Sequence, residues 1–145
     1  MPFVSKIRRA APVLFAALAL SLGACDPETP TRNDHPDIAA VRLTVGAQSV
    51  TVTASGTQTG TLTVPRGENA VSVTWLNSGG SAISFNVVVT MQIVPVGAGT
   101  GVSFVSAGTT GGLLTATSAG ARTAKVSLFH GDHPDFEANV NFTVS

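Results

Sequence analysis

The chain of 145 residues contains a single cysteine, Cys25. Without a second cysteine, no disulfide can form within the chain. Charged residues are also scarce, at 11% of the sequence. Five cations lie outside the first ten residues and are scattered along the chain: Arg32, Arg42, Arg66, Arg122 and Lys125. Because they form no basic stripe that could follow phosphates, we expect no nucleic-acid partner.

The motifs of several common catalytic sites are missing as well. The sequence has no nucleophile elbow, no phosphate-cradling glycine loop ahead of a helix and no HExxH. Its serines and threonines alternate with apolar residues, as the solvent-facing residues of strands do. We therefore expect a protein that is not an enzyme. A hydrolase of unknown substrate, using a histidine and an aspartate with one of the serines, is kept as a third hypothesis.

The apolar run near the amino terminus is too short to cross a bilayer. Lys6, Arg8 and Arg9 precede it, and residues 11–22 carry no charge. Twelve helical residues rise about 18 Å, whereas the hydrocarbon core is about 30 Å thick. A basic segment followed by a short apolar one predicts a cleaved signal peptide over residues 1–24, exported by the ordinary secretory route.

The end of this run resembles the lipobox of bacterial lipoproteins. In Leu22-Gly23-Ala24-Cys25, a leucine stands three residues before the cysteine and two small residues lie between them. The resemblance implies that residues 1–24 are removed, that Cys25 is lipidated, and that a lipid bilayer is a partner. Several acyl chains hold a protein firmly at a membrane. The expected location is the bacterial cell envelope, with the inner and outer membranes both open because Asp26 has different sorting effects in different lineages.

Residues 25–37 are predicted to be the lipidated cysteine and a tether. Residues 26–37 hold three prolines, several acids and almost nothing apolar, so they cannot bury enough surface to fold alone. Without residues 1–24, five basic and eight acidic residues remain, a net charge of −3. A weakly acidic domain on a short tether is therefore expected at the membrane.

From residue 38 onwards, apolar and polar residues alternate, which is typical of strands buried on one face. Val41, Leu43 and Val45, for example, alternate with Arg42 and Thr44. The same alternation predicts further strands within residues 50–53, 62–64, 71–75, 83–93, 102–104, 114–116, 124–128 and 140–144. Residues 83–93 place six apolar side chains on one parity, so we expect a central strand there.

The fold class predicted from these strands is all-β. No segment after Cys25 has convincing 3.6-residue periodicity, and Thr, Val, Ser and Gly dominate. Some eight short strands with frequent turn signals favour a single two-sheet sandwich over residues 38–145, with an open barrel as the alternative.

Residues 38–145 resemble bacterial Ig-like domains, in which a G-x-x-T-A strand precedes a G-x-x-x-A-x-V strand, and the resemblance is strongest over the last third of the chain. Gly112-Leu113-Leu114-Thr115-Ala116 matches the first pattern, and residues 120–126, from Gly120 to Val126, match the second. The resemblance implies an Ig-like β-sandwich with Trp75 in a central core position. It also implies that part of the first strand runs parallel to the last.

A tetrapeptide occurs twice, as Asp34-His35-Pro36-Asp37 and Asp132-His133-Pro134-Asp135, and His130 shortly precedes the second copy. In one interpretation each aspartate caps a turn and each proline starts a strand. In the other, a divalent zinc, copper or nickel ion is bound, because imidazole and carboxylate groups are ligands for these metals. Parallel first and last strands would then bring the ligands together: Asp34, His35, His130, Asp132, His133 and Asp135.

These observations leave three functional hypotheses. The leading one is a non-enzymatic, membrane-anchored lipoprotein whose Ig-like domain is an interaction or spacer module, with an envelope protein or a glycan as partner. The second is a lipoprotein that binds a divalent metal through the His/Asp cluster, and the third is the hydrolase. Fold alone does not choose among them.

Overall fold

The structure, a computed structural model, describes residues 37–97 and 100–145. The predicted signal peptide, Cys25, Asp34 and His35 lie outside these residues. In chain order the strands are β1 (Ala40–Val45), β2 (Gln48–Thr53), β3 (Gln58–Gly60), β4 (Thr63–Val64), β5 (Gly67–Leu76), β6 (Thr90–Pro95), β7 (Val102–Ser106), β8 (Gly111–Ala116), β9 (Gly120–His130) and β10 (His133–Val144).

The strands form two sheets. One has six strands in the order β3-β2-β1-β5-β8-β7, and the other has four in the order β4-β10-β9-β6. Neighbouring strands are antiparallel except β4 and β10, which are parallel. The predicted all-β, two-sheet architecture is therefore confirmed. The described residues include no helix, and so none long and apolar enough to cross a membrane.

The core lies between the sheets and follows the alternation in the sequence. In β10, for example, Phe136, Ala138, Val140, Phe142 and Val144 are buried, while the residues between them are exposed. Trp75 is 2% exposed, which confirms its predicted core position. Two other rings meet it edge to face: Phe136 at 5.5 Å and Phe85 at 6.4 Å between centroids.

The predicted parallel pairing of the first and last strands is wrong. β1 lies in the six-stranded sheet between β2 and β5, and β10 pairs with β9 and β4 in the other sheet. The strand that runs parallel to β10 is β4, at Thr63 and Val64. The chain reaches this position only after the β2 and β3 strands, because β1 finds antiparallel partners on both sides.

The predicted central strand over residues 83–93 is also wrong. Only Thr90–Pro95 forms a strand, β6, and it lies at the edge of the four-stranded sheet. Its partner β9 pairs with it up to Phe129, opposite Thr90, and the chain turns at Gly131. Residues 84–89 therefore extend beyond the end of that partner. Their burial still alternates, with Val88 89% exposed, so the predicted parity is right although the ladder is not formed.

The chain changes sheets between β3 and β4. Gly60 has a φ of +87°, a conformation that favours glycine, and a Cβ there would lie 2.7 Å from the carbonyl oxygen of Ser49. Two glutamines join the sheets at this side. Gln58 Nε2 donates to the carbonyl oxygen of Asn141, and Gln58 Oε1 accepts from the N–H of Asn141, each at 2.9 Å. Gln48 Oε1 accepts a hydrogen bond from the Thr63 N–H at 2.9 Å. Side-chain hydrogen bonds thus connect the two sheets at the point where no main-chain strand pairing joins them.

Candidate functional site

The second copy of the repeated tetrapeptide forms the turn between β9 and β10. His130 and His133 are directly paired across the loop Gly131-Asp132, and Gly131 has a φ of +62°. A two-residue hairpin loop with glycine first and positive φ only there is a type II′ turn. His130 has the inward parity of Leu128, two residues earlier in β9, and is partly buried, whereas His133 opposite it is exposed.

A β-bulge follows the turn directly. Pro134 pairs with Phe129 and Phe136 with Leu128, so Asp135 is the extra residue. Pro134 stands at the start of β10, as predicted, where its missing N–H is tolerated beside the bulge. Asp135 is partly buried, and its Oδ2 atom is buried. The bulge shifts the side-chain alternation so that Phe136 reaches Trp75 in the core.

The last residue of the first tetrapeptide, Asp37, lies at the same end of the sandwich. Ala40 pairs with Leu76, which places the start of β1 beside the end of β5. Trp75, in the same part of β5, packs on Phe136 near the start of β10. Asp37 Oδ2 accepts a hydrogen bond from Ser78 Oγ at 2.9 Å. The first and last strands therefore begin at one end, although they belong to facing sheets.

The metal-site prediction is only partly addressed by this geometry. Four of the six predicted ligands are described: His130, Asp132, His133 and Asp135. Within residues 37–97 and 100–145, no group of three or more His, Cys, Asp or Glu side chains is arranged to hold a metal ion. The two histidines pair across the turn, but Asp34 and His35 lie outside the described residues. The predicted six-residue site therefore stays a prediction.

The opposite end of the four-stranded sheet carries a groove of about 620 Å³ beside Arg122, Gln58 and Phe142. Arg122 has the inward parity of Ala124 and Val126, so its guanidinium lies at the end of the core and is partly buried. Its Nε donates to the Thr100 carbonyl at 2.7 Å, and Nη1 to that of Ala121 at 2.7 Å.

The remaining donors of Arg122 hold the loop between β8 and β9. Nη2 donates to the carbonyl oxygens of Ser118 at 3.1 Å and Ala119 at 2.9 Å, and to Ser118 Oγ at 2.9 Å. This guanidinium is thus engaged by the protein itself and acts as a clamp on the loop. The sequence analysis counted Arg122 only as one of several scattered cations and did not predict this structural role. A charged residue at an inward-facing strand position was the signal that could have indicated it.

An ion pair lies on the outer face of the four-stranded sheet. Lys125 Nζ is 2.6 Å from Glu137 Oε1, and the Ser127 hydroxyl donates to the same oxygen at 3.1 Å. The hydrogen bond from Lys125 holds the pKa of Glu137 below its ordinary value, with a smaller contribution from Ser127, and partial desolvation opposes the shift. Both side chains are well exposed, so this is a solvated surface pair.

No protein-family model, curated protein or solved structure matches the chain.

Proposed function

We propose that the protein is a lipoprotein of the bacterial cell envelope whose Ig-like domain is a non-enzymatic interaction or spacer module. The observation that carries the proposal is Leu22-Gly23-Ala24-Cys25 at the end of a basic and then apolar leader. Acylation of Cys25 would fix the mature chain to a bilayer. The β-sandwich would then be presented at the membrane surface.

The strand order supports the Ig-like part of the proposal. Ig domains have strands A, B, E and D in one sheet and C, F and G in the other. Here β1-β5-β8-β7 are neighbours in one sheet and β6-β9-β10 in the other, and naming them A to G in chain order reproduces that arrangement. The β2–β4 segment would be an insertion between A and B. The G-x-x-T-A and G-x-x-x-A-x-V patterns fall on β8 and β9, in the E and F positions.

The anchor is tested by metabolic labelling of the full chain with a clickable fatty acid in a bacterial host. The wild type is expected to incorporate label, whereas Cys25→Ser is expected to lose it and to accumulate as the larger precursor. Thr29→Ser, four residues further on, is the matched control and keeps the label. Label on the serine variant at the wild-type level would show that the lipoprotein proposal is wrong.

A second candidate function is divalent-metal binding, and the cross-strand pair of His130 and His133 is the observation that favours it. Asp34 and His35 would complete the ligands. A metal that binds only the folded chain raises its melting temperature, and protonation of imidazole below about pH 6 opposes binding. Melting of residues 26–145 with zinc, copper or nickel tests this. An absent shift at pH 7, or an equal shift in His130→Ala/His133→Ala, would exclude the site.

A further inference from the structure

Three of the four edge strands in the two described sheets are short or blunted. β3 and β4 have three and two residues, and Gln58 and Gln48 join that side of one sheet to the other. In β6, Val96 N donates to Thr123 O of β9, so the main-chain N–H and C=O groups of even-numbered residues point to β9 and those of odd-numbered residues point to the open edge. The nitrogen of Pro95 therefore lies on the open edge of β6, where it carries no N–H that could bond to another strand. Proline at this position is a common protection of an edge strand.

The fourth edge strand, β7, has none of these features. Its sequence, Val102-Ser103-Phe104-Val105-Ser106, has neither charge nor proline, and it pairs continuously with β8. The whole of residues 69–121 contains no Asp, Glu, Lys, Arg or His. On the outer face Val105 is 68% exposed, and its cross-strand partner Leu113 is 38% exposed. An uncharged edge with exposed apolar side chains is a template for another strand.

The hydrogen bonds of β7 show which main-chain groups face outwards. Ala107 N donates to Gly111 O at 2.8 Å, and Thr117 N to Gly101 O at 2.7 Å, so the odd-numbered residues of β7 bond to β8. The main-chain N–H and C=O groups of the even-numbered residues then point to the open edge. Val102 N is already bonded to Thr100 Oγ1 at 3.3 Å. Within residues 37–97 and 100–145, no hydrogen bond engages the N–H and carbonyl groups of Phe104 and Ser106, so these groups can meet a partner strand.

We propose that β7 pairs antiparallel with β7 of a second copy of this chain, around a twofold axis at Val105. In this register the main chain of Phe104 exchanges two hydrogen bonds with that of Ser106 in the second copy, and the main chain of Ser106 does the same with Phe104 of that copy. The open-edge N–H and carbonyl groups of both residues are therefore bonded in each strand. The two Val105 side chains meet at the axis, and the two six-stranded sheets become continuous.

A second copy fits this edge better than a charged peptide. An antiparallel pair of identical strands is self-complementary, which is the requirement of a twofold interface. The edge formed by β7 and β8 carries no charged side chain, so two copies would not repel each other there and a charged partner would not be favoured. The inference gives the interaction module proposed above a partner, but it does not depend on the lipid anchor.

Disulfide trapping in the full chain tests the register. In an antiparallel pair, directly opposed residues that are not hydrogen-bonded have Cα atoms about 4.5 Å apart, which suits a disulfide. Val105→Cys is therefore expected to cross-link when intact bacterial cells are treated with the membrane-permeant oxidant diamide. Ser103→Cys and Leu113→Cys are matched controls, since both residues are exposed on the same face. Each would lie about 14 Å from its twin, judged from strand spacing and rise.

The disulfide-linked dimer is measured on non-reducing gels as the excess over the wild-type chain, whose single thiol is Cys25. We expect Val105→Cys to exceed both controls by about tenfold or more, because only its sulfurs lie within bonding range. Equal yields from the three variants, or no excess for Val105→Cys, would overturn the proposal. Diamide reaches the protein whether or not it is exported, so the cross-linking result does not depend on the lipid anchor. Fatty-acid labelling of Cys25 tests the anchor separately, so failure of the dimer proposal and failure of the lipoprotein proposal are distinguishable.

Discussion

The indole Nε1 of Trp75 donates a hydrogen bond to the carbonyl oxygen of Thr109 at 2.8 Å. Trp75 is in β5, and Thr109 is in the turn between β7 and β8. Val73 N also donates to the neighbouring Thr110 carbonyl at 2.8 Å. The largest side chain of the core thus satisfies its one polar atom by fixing the turn that leads out of the open-edged strand β7.

Trp75→Phe is expected to destabilise the domain by about 2–3 kcal/mol, because it removes buried ring area and leaves the Thr109 carbonyl without this donor. Urea denaturation measures the loss. Thr109→Ala is the control, since the acceptor is a main-chain atom, and it should change stability by about 0.5 kcal/mol or less. Equal losses for the two variants would contradict this account of the bond.

Three substitutions around Trp75 are expected to form a graded series. Phe136→Ala should cost about 3–5 kcal/mol, because Phe136 is 3% exposed and packs on the indole. Phe85→Ala should cost less, about 1–3 kcal/mol, since Phe85 is only partly buried in an unpaired segment. Asn86→Ala, at the exposed position next to it, should cost about 0.5 kcal/mol or less. Similar melting temperatures for the Phe85 and Asn86 variants would show that the assigned parity is wrong.

Arg122→Lys is expected to loosen the loop between β8 and β9, although it keeps the positive charge. An ammonium group cannot reproduce a planar guanidinium that donates to several carbonyls at fixed directions. We expect a loss of about 1–3 kcal/mol and faster amide exchange at residues 117–119. Arg66→Lys, at an exposed turn position, is the control and should leave both quantities unchanged. Protection of the loop at the wild-type level in Arg122→Lys would refute the clamp.

Glu137→Gln is expected to lower the melting temperature slightly at neutral pH and not at acidic pH. The pKa of Glu137 is lowered in the folded chain by the hydrogen bond from Lys125. A lowered pKa gives stability that is present above the unfolded value, about 4.3, and is lost as pH falls through the folded value. The difference in melting temperature between wild type and variant should therefore disappear as the pH falls below the range in which carboxyl groups ordinarily titrate. Glu68→Gln, which removes an exposed carboxylate elsewhere, is the control; a gap independent of pH for Glu137→Gln would contradict the ion pair's role.

Alternation in the sequence predicted which side chains are buried more reliably than which strands pair. Phe136, Val140 and Val126 are inside as their parity requires, because the period of two is a local property of each strand. Residues 83–89 keep that alternation yet lack the ladder, because a ladder needs a partner of matching length and β9 ends at the Gly131 turn. The length of the partner strand depends on a distant part of the chain, so the alternation within residues 83–93 cannot predict it.

The sequence named the candidate ligands, but the positions of the described ones in the fold follow only partly from local features. The pairing of His130 with His133 follows from a glycine-led two-residue turn, which is a local feature. The position of Asp37 at the same end does not follow from the expected parallel ladder. It depends instead on β1 pairing with β5, and on Trp75 of β5 packing against Phe136 across the sandwich.

By itself the sequence determined the class of fold, the buried face of the longer strands and the resemblance of residues 22–25 to a lipobox, since each depends on short-range order of residue types. Only the tertiary structure decided that β4 rather than β1 runs beside β10, that Arg122 clamps a loop, and that β7 ends its sheet with main-chain groups of Phe104 and Ser106 on the open edge. These features arise when strands distant in sequence compete for the same hydrogen-bonding edge, and the outcome depends on all of them together.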